Sequence, residues 1–193
     1  KATSESEVCI FCHTPHNSAP QAPLWNRNNS GGVYTLYSSS TLNALPGQPD
    51  GSSILCLSCH DGTIALDVLT NVNGLAFGTA PTGGSVAFQL QAAPARKATY
   101  SNGTGGTNNV MSGGLPFLGT DLRNDHPVSI VYETARAATP TEFVTQVANG
   151  PKITVGSNNP VPIFGATAAT ATVECASCHN PHNNSLGNFL RKA

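Results

Sequence analysis

Apolar residues come in short bursts along this chain, set apart by polar stretches rich in glycine, proline, asparagine and threonine, and no burst is long enough to span a bilayer. The run Ser52-Ser53-Ile54-Leu55-Cys56-Leu57-Ser58-Cys59-His60 reads as a short helix, with Asp50-Gly51 as the turn before it and Ser52 or Ser53 as its N-cap. The same layout recurs where Thr172-Val173-Glu174 leads into Cys175. Between them, roughly residues 70–171 contain no cysteine and form a long irregular region. Within it Ser85–Leu90 alternates polar and apolar residues, while Val128–Tyr132 and Lys152–Val155 are β-branched runs; all three suit short strands. Thr141–Ala148 reads as a short helix stopped by Asn149-Gly150-Pro151, and Ser101–Gly114 as a surface loop. Near the start, Pro20 and Pro23 favour an extended strap through Ala19–Asn26.

The expected helices coincide with chemistry. All six cysteines fall in three copies of one pattern, Cys9-Ile-Phe-Cys12-His13, Cys56-Leu-Ser-Cys59-His60 and Cys175-Ala-Ser-Cys178-His179 (motifs I, II and III). Two thiols at this spacing each form a thioether to one vinyl group of a heme, and the histidine that follows binds the iron. The rival readings are a zinc site, a thioredoxin-like redox pair and a disulfide framework. Zinc sites pair two half-sites into four ligands, whereas here three half-sites each carry their own histidine, and a redox pair needs only one copy. The pattern therefore predicts three covalently attached hemes c. A chain of 193 residues is too short to wrap each in its own shell of helices, so the hemes must supply much of the core. The expected architecture is one domain over residues 1–193, mostly irregular coil, with short helices at the motifs and a few short β-strands in the central segment.

Heme attachment of this kind follows export, which places the chain in a periplasm or beyond the cell surface. The polar run Lys1–Glu7 predicts a mature protein whose signal peptide has been removed. Charged residues make up only 10% of the chain, the net charge is −1, and the nine Lys and Arg are scattered with no run longer than two, which leaves nucleic-acid binding without a basic patch. Low net charge also weakens repulsion between copies and permits close self-association.

Six histidines are present: His13, His60 and His179 follow the cysteine pairs, and His16, His126 and His182 match the three remaining axial positions. An iron with two histidine ligands has no open site for a small substrate, so such hemes carry electrons and do little else, at lower potential than with methionine as second ligand. Met111 reads as a loop residue. Trp25, Phe11, Phe164 and Phe189 read as heme packing, Asp61 as a turn residue, and Asp125 either as an orienting partner of His126 or as a solvated loop carboxylate. No nucleophile or paired carboxylates compete for a catalytic role.

The segments Cys9-Ile-Phe-Cys-His-Thr-Pro-His16-Asn, Ala-Pro-Leu-Trp25-Asn, Cys56-Leu-Ser-Cys-His-Asp-Gly-Thr63, Asn124-Asp-His126-Pro-Val and Cys175-Ala-Ser-Cys-His-Asn-Pro-His182 resemble the multiheme c-type cytochromes of the doubled CxxCH family. The resemblance covers both ends of the chain and, in the centre, only residues 124–128. It implies a multiheme cytochrome c fold and an electron-transfer protein, periplasmic or extracellular, with bis-histidine hemes. Some cytochromes with similar His-x-x-His motifs polymerise into extracellular filaments, so the resemblance also implies that the chain is a filament (nanowire) subunit whose partners are other copies of itself and redox proteins or extracellular acceptors. The alternatives are a soluble periplasmic carrier, an electron-donating subunit of a reductase, or a multiheme reductase, the last requiring an iron without a distal ligand.

Geometry narrows the axial pairings. His16 and His182 lie three residues beyond His13 and His179, a span of at most about 11 Å, and neither reaches round the macrocycle to its own heme's far face. Of the three pairings left, the favoured one joins His182 to heme I, His16 to heme III and His126 to heme II, so that the chain ends must meet within one molecule or, preferred, between successive copies. The expected outcome is a set of low-spin hemes with negative potentials. A high-spin signal from the oxidised protein at neutral pH would count against it.

Overall fold

The structure is a computed structural model that describes residues 8–15, 18–19, 23–29, 31–66, 68–70, 88–89, 110–149, 152–156 and 160–192. In chain order its elements are a 3-10 turn at Val8–Phe11, helix α1 (Gly51–His60), strands β1 (Val68–Leu69), β2 (Phe88–Gln89) and β3 (Ile130–Val131), helix α2 (Tyr132–Ala138), strands β4 (Gln146–Asn149), β5 (Lys152–Val155), β6 (Val161–Ile163) and β7 (Thr172–Val173), and helix α3 (Cys175–Cys178). Each cysteine motif therefore sits on a helical turn. Two compact units divide the chain, Lys1–Gly32 with Leu55–Thr120 and Val33–Ile54 with Asp121–Ala193, and the boundary falls inside α1. No helix among the described residues is long and apolar enough to cross a membrane.

The first unit has a small core, Ile10 and Leu69 with Phe11 packed against them. Helix α1 begins two or three residues earlier than a cap at Ser52 or Ser53 would set it. The Asp50 carbonyl accepts from the Ile54 amide at 3.1 Å, so Asp50 holds the cap position and Ser53 is left free to point inward. The helix ends where Asp61 Oδ1 accepts from the amide and hydroxyl of Thr63, both at 2.8 Å, an Asx turn followed through Gly62. Glycine is required there: at φ +72° a Cβ would come within 2.6 Å of the Met111 carbonyl and the Phe117 ring.

In the second unit β4, β5 and β6 form an antiparallel sheet in that order, and Tyr132, Ile153, Ile163 and Ala171 make its core, with Phe143 edge-on to Tyr132 at 5.9 Å. The helix expected over Thr141–Ala148 is absent. Gln146–Asn149 is a strand instead, paired residue for residue with Lys152–Val155, because the segment read as a helix stop joins two strands of a hairpin. The strand expected over Val128–Tyr132 shrinks to Ile130–Val131, since Tyr132 opens α2. That helix rests on good helix formers (Ala135, Arg136, Ala137, Ala138) and a Glu133–Arg136 ion pair one turn apart. Most of the strand expected over Ser85–Leu90 and of the loop over Ser101–Gly114 lies outside the described residues.

Glu174 is the polar centre of the second unit. Only 1% exposed, its Oε2 accepts from the hydroxyls of Ser53 and, at 3.0 Å, Ser129. Ser53 Oγ in turn accepts from the Cys175 amide at 3.0 Å, and the Glu174 amide donates to Ser177 Oγ at 3.0 Å. The start of α1, the Ser129 turn (φ +56°) and motif III are tied through one carboxylate. Burial pushes Glu174 above its ordinary value near 4.5, against the hydrogen bonds of Ser53, Thr172 and Ser129, which act the other way. A carboxyl raised on folding binds more protons folded than unfolded, so stability is highest below the ordinary glutamate value and falls as pH rises through the folded one. Glu174→Gln is expected to remove this fall in melting temperature between about pH 4.5 and neutrality. An unchanged decline in the variant would place its origin elsewhere.

Candidate heme attachment and iron-ligand sites

A helical turn puts residues i, i+3 and i+4 on one face, which for each motif means both cysteines and the histidine together. At motif I the turn is closed by the His13 amide donating to Cys9 O at 2.8 Å, and at motif III by the His179 amide donating to Cys175 O at 2.9 Å. All six thiols are outside any disulfide.

Motifs I and III then repeat one backbone arrangement. The chain returns as a strap that bridges the histidine, His13 to Trp25 and His179 to Leu190. The Thr14 amide donates to Leu24 O at 2.7 Å and the Asn180 amide to Phe189 O at 2.6 Å, while the Asn26 amide donates to Cys12 O at 2.9 Å and the Arg191 amide to Cys178 O at 2.8 Å. Each strap delivers a carbonyl to the imidazole: His13 Nδ1 meets Pro23 O at 3.1 Å, and His179 Nδ1 meets Asn188 O at 2.8 Å. Both straps hold left-handed backbone at residues other than glycine, Leu24 (φ 59°) in one and Asn188 (φ 47°) and Phe189 (φ 55°) in the other. Such conformations persist where surrounding contacts over-determine them, and here they lie beside the acceptor carbonyls.

Motif II reaches the same end by another route. His60 Nδ1 meets Pro116 O at 2.6 Å, and the His60 carbonyl accepts from the Leu118 amide at 2.8 Å, so the strap comes from a segment far along the chain. A carbonyl oxygen only accepts. In all three motifs Nδ1 therefore carries the proton, the tautomer in which ligating histidines are commonly held, with Nε2 as the metal-binding nitrogen.

Fit to a flat apolar macrocycle can be tested on the surroundings. Beside every acceptor carbonyl stands a large apolar side chain in solvent: Leu24 next to Pro23, Leu115 and Phe117 on either side of Pro116, and Phe189 next to Asn188, exposed by 49%, 99%, 36% and 45%. A heme held by the adjacent imidazole has the chemistry to cover such residues. Among the described residues no group of three or more His, Cys, Asp or Glu is placed to share one metal ion, so a zinc site of four cysteines is not assembled among them. Burial, before any other cause, pushes the Cys12 and Cys59 thiols up, whereas a thioredoxin-like nucleophile needs its thiol pushed down. The residues fit c-type heme.

Cys12 and Cys59 are also near enough for the one to raise the other, and the charge of Arg27 bears on both. Arg27 is fully buried; Nη1 donates to Leu66 O at 2.8 Å and Nη2 to Ser58 O at 3.1 Å and Ala65 O at 3.0 Å. Its neighbour Asn26 donates from Nδ2 to Ile10 O at 2.8 Å. Together they fasten motif I to the end of α1. A scan of protein-family models gives no match to the chain, and a search of curated proteins gives none either.

Of the spare histidines, His16 lies outside the described residues, as does Asp67. His182 is exposed in the turn after motif III, where its amide donates to Asn180 Oδ1 at 3.1 Å. His126, expected at heme II, has its ring nearly parallel to that of His179, at 16° and 6.4 Å between centres. Asp125 Oδ2 is buried without a partner. Met111 is buried beneath Gly62, and Trp25 is buried edge-on to His13 at 6.2 Å. Sequence reasoning missed the acceptors at Pro116 and Asn188 and the clamp residue Arg27. For Asn188 a signal existed: an apolar pair follows each Cys-His-x-Pro-His run, Leu24-Trp25 after the first and Phe189-Leu190 after the last. For Pro116 and Arg27 there was none, because their partners are remote in sequence. Arg27→Leu leaves three carbonyls without their buried donor and is expected to cost about 3–5 kcal/mol in denaturant unfolding. A loss under about 1 kcal/mol would show that the clamp is dispensable.

Proposed function

We propose that the chain is an exported triheme c-type cytochrome that moves electrons, and that copies of it join head to tail into an extracellular filament. The observation that carries the heme reading is the shared state of His13, His60 and His179, each with Nδ1 committed to a backbone carbonyl, the tautomer in which Nε2 is the metal-binding nitrogen. Cys9 and Cys12, Cys56 and Cys59, and Cys175 and Cys178 hold the three hemes, and His16, His126 and His182 supply the sixth ligands. Each heme contributes one electron's capacity through its ferric and ferrous states. The protein's part is to fix the imidazoles, close the iron to substrates and keep adjacent groups in contact; the hydrogen bonds of Asn26 to Cys12 O and of Arg27 to Ser58 O support close approach of motifs I and II.

The filament part of the reading draws on the low proportion of charged residues and on the exposed apolar Leu186 in the tail beside His182. A redox protein of the exporting cell supplies the electrons, and an extracellular acceptor consumes them. The test is two measurements on purified holoprotein: heme content by pyridine hemochrome, expected at three per chain, and negative-stain microscopy, expected to show long uniform fibres. Zinc in place of heme would end the cytochrome reading; three hemes with only discrete particles would end the filament alone.

A further inference from the structure

We propose that His126 is the sixth ligand of the iron bound by His179, an inference that rests on the heme reading above and replaces the pairing of His126 with heme II. Rings lying face to face are about 3.5–4 Å apart, so near-parallel imidazoles with centres 6.4 Å apart are not face to face. The gap has the size of an iron. A metal–imidazole bond is about 2.0–2.1 Å, and a five-membered ring with bonds of about 1.35 Å has its atoms about 1.15 Å from its centre. Two imidazoles on opposite sides of one metal therefore have ring centres about 6.4 Å apart. The Nδ1 bond of His179 to Asn188 O already reserves its Nε2 for that metal.

The backbone builds this pairing. Strand β3 is antiparallel to β7, with Ile130 opposite Val173 and Val131 opposite Thr172, and the Ser129 amide donates to Val173 O at 2.8 Å. Strand β7 runs directly into motif III. The same antiparallel course carries the segment before β3, which includes His126 and Pro127, back alongside Cys175–His179. With heme III complete, the span limit on His16 leaves it to heme II and leaves His182 to heme I, so the tail-to-head joint between copies rests on His182.

The experiment compares the spin states of holoprotein variants by electron paramagnetic resonance and absorption. His126→Ala is expected to turn one heme of the three high-spin, with added imidazole restoring the low-spin state, and to leave fibres intact. In a two-heme protein lacking motif III thiols (Cys175→Ala, Cys178→Ala), adding His126→Ala is expected to produce no high-spin heme. A high-spin heme in that background would assign His126 elsewhere and overturn the pairing, as would an unchanged His126→Ala spectrum. Should the two-heme protein not fold, the unmodified protein decides. Near-parallel imidazole planes give a rhombic low-spin signal, expected to disappear with His126→Ala, and a spectrum with only the strongly anisotropic signals of perpendicular planes would overturn the proposal. Failure of the chain to bind heme at all would sink the cytochrome reading instead.

Discussion

Each motif histidine donates from Nδ1 to a backbone carbonyl, and much of the local architecture serves that bond. The imidazole is fixed in tautomer and direction only if the carbonyl is delivered from elsewhere in the chain, to within 2.6–3.1 Å. The described residues, with little regular structure among them, achieve this by straps instead of by a packed wall of helices. The cost appears in the backbone, where Leu24, Asn188 and Phe189 adopt left-handed conformations that side chains disfavour. It appears also at Gly62, where no side chain fits between α1 and the segment that carries Pro116.

The protein-built cores are correspondingly small, and buried polar groups carry part of the organisation. Arg27 in the first unit and Glu174 in the second are each almost wholly buried and each hydrogen-bonded mainly to groups far away in sequence. Such groups are poor sources of net stability but strict about geometry, because every partner left unpaired carries a desolvation penalty. Arg27 holds motif I against the end of α1, and Glu174 holds motif III against its beginning. The exposed apolar residues beside the three acceptor carbonyls complete the picture of sites shaped for large apolar partners, which under the proposed function are the hemes.

Near-parallel placement of His126 and His179 illustrates how a sheet of only two residues per strand can decide chemistry. Four paired residues in β3 and β7 set the course of the flanking segments, and the imidazole of a loop residue arrives opposite the imidazole of a motif residue. Counting histidines against axial positions treats the three spares as interchangeable. Under the proposed ligation, the ladder removes that freedom for one of them.

The local geometry was legible in the sequence: each Cys-x-x-Cys-His run lies on a helical turn, which depends only on neighbours that the chain itself supplies. Asp61 as a turn residue and Lys152–Val155 as a strand were legible for the same reason. What only the tertiary structure decided involves partners distant in sequence. Thr141–Ala148 satisfies helical spacing by itself, yet Gln146–Asn149 becomes a strand because Lys152–Val155 lies opposite it. Tyr132–Ala138, with its alanines and its ion pair one turn apart, carried a helical signal that the β-branched run before it obscured. The Pro116 carbonyl, the Arg27 clamp and the pairing of His126 with His179 have no local signature. Each exists only once segments tens of residues apart have been brought into hydrogen-bonding or ring-to-ring register.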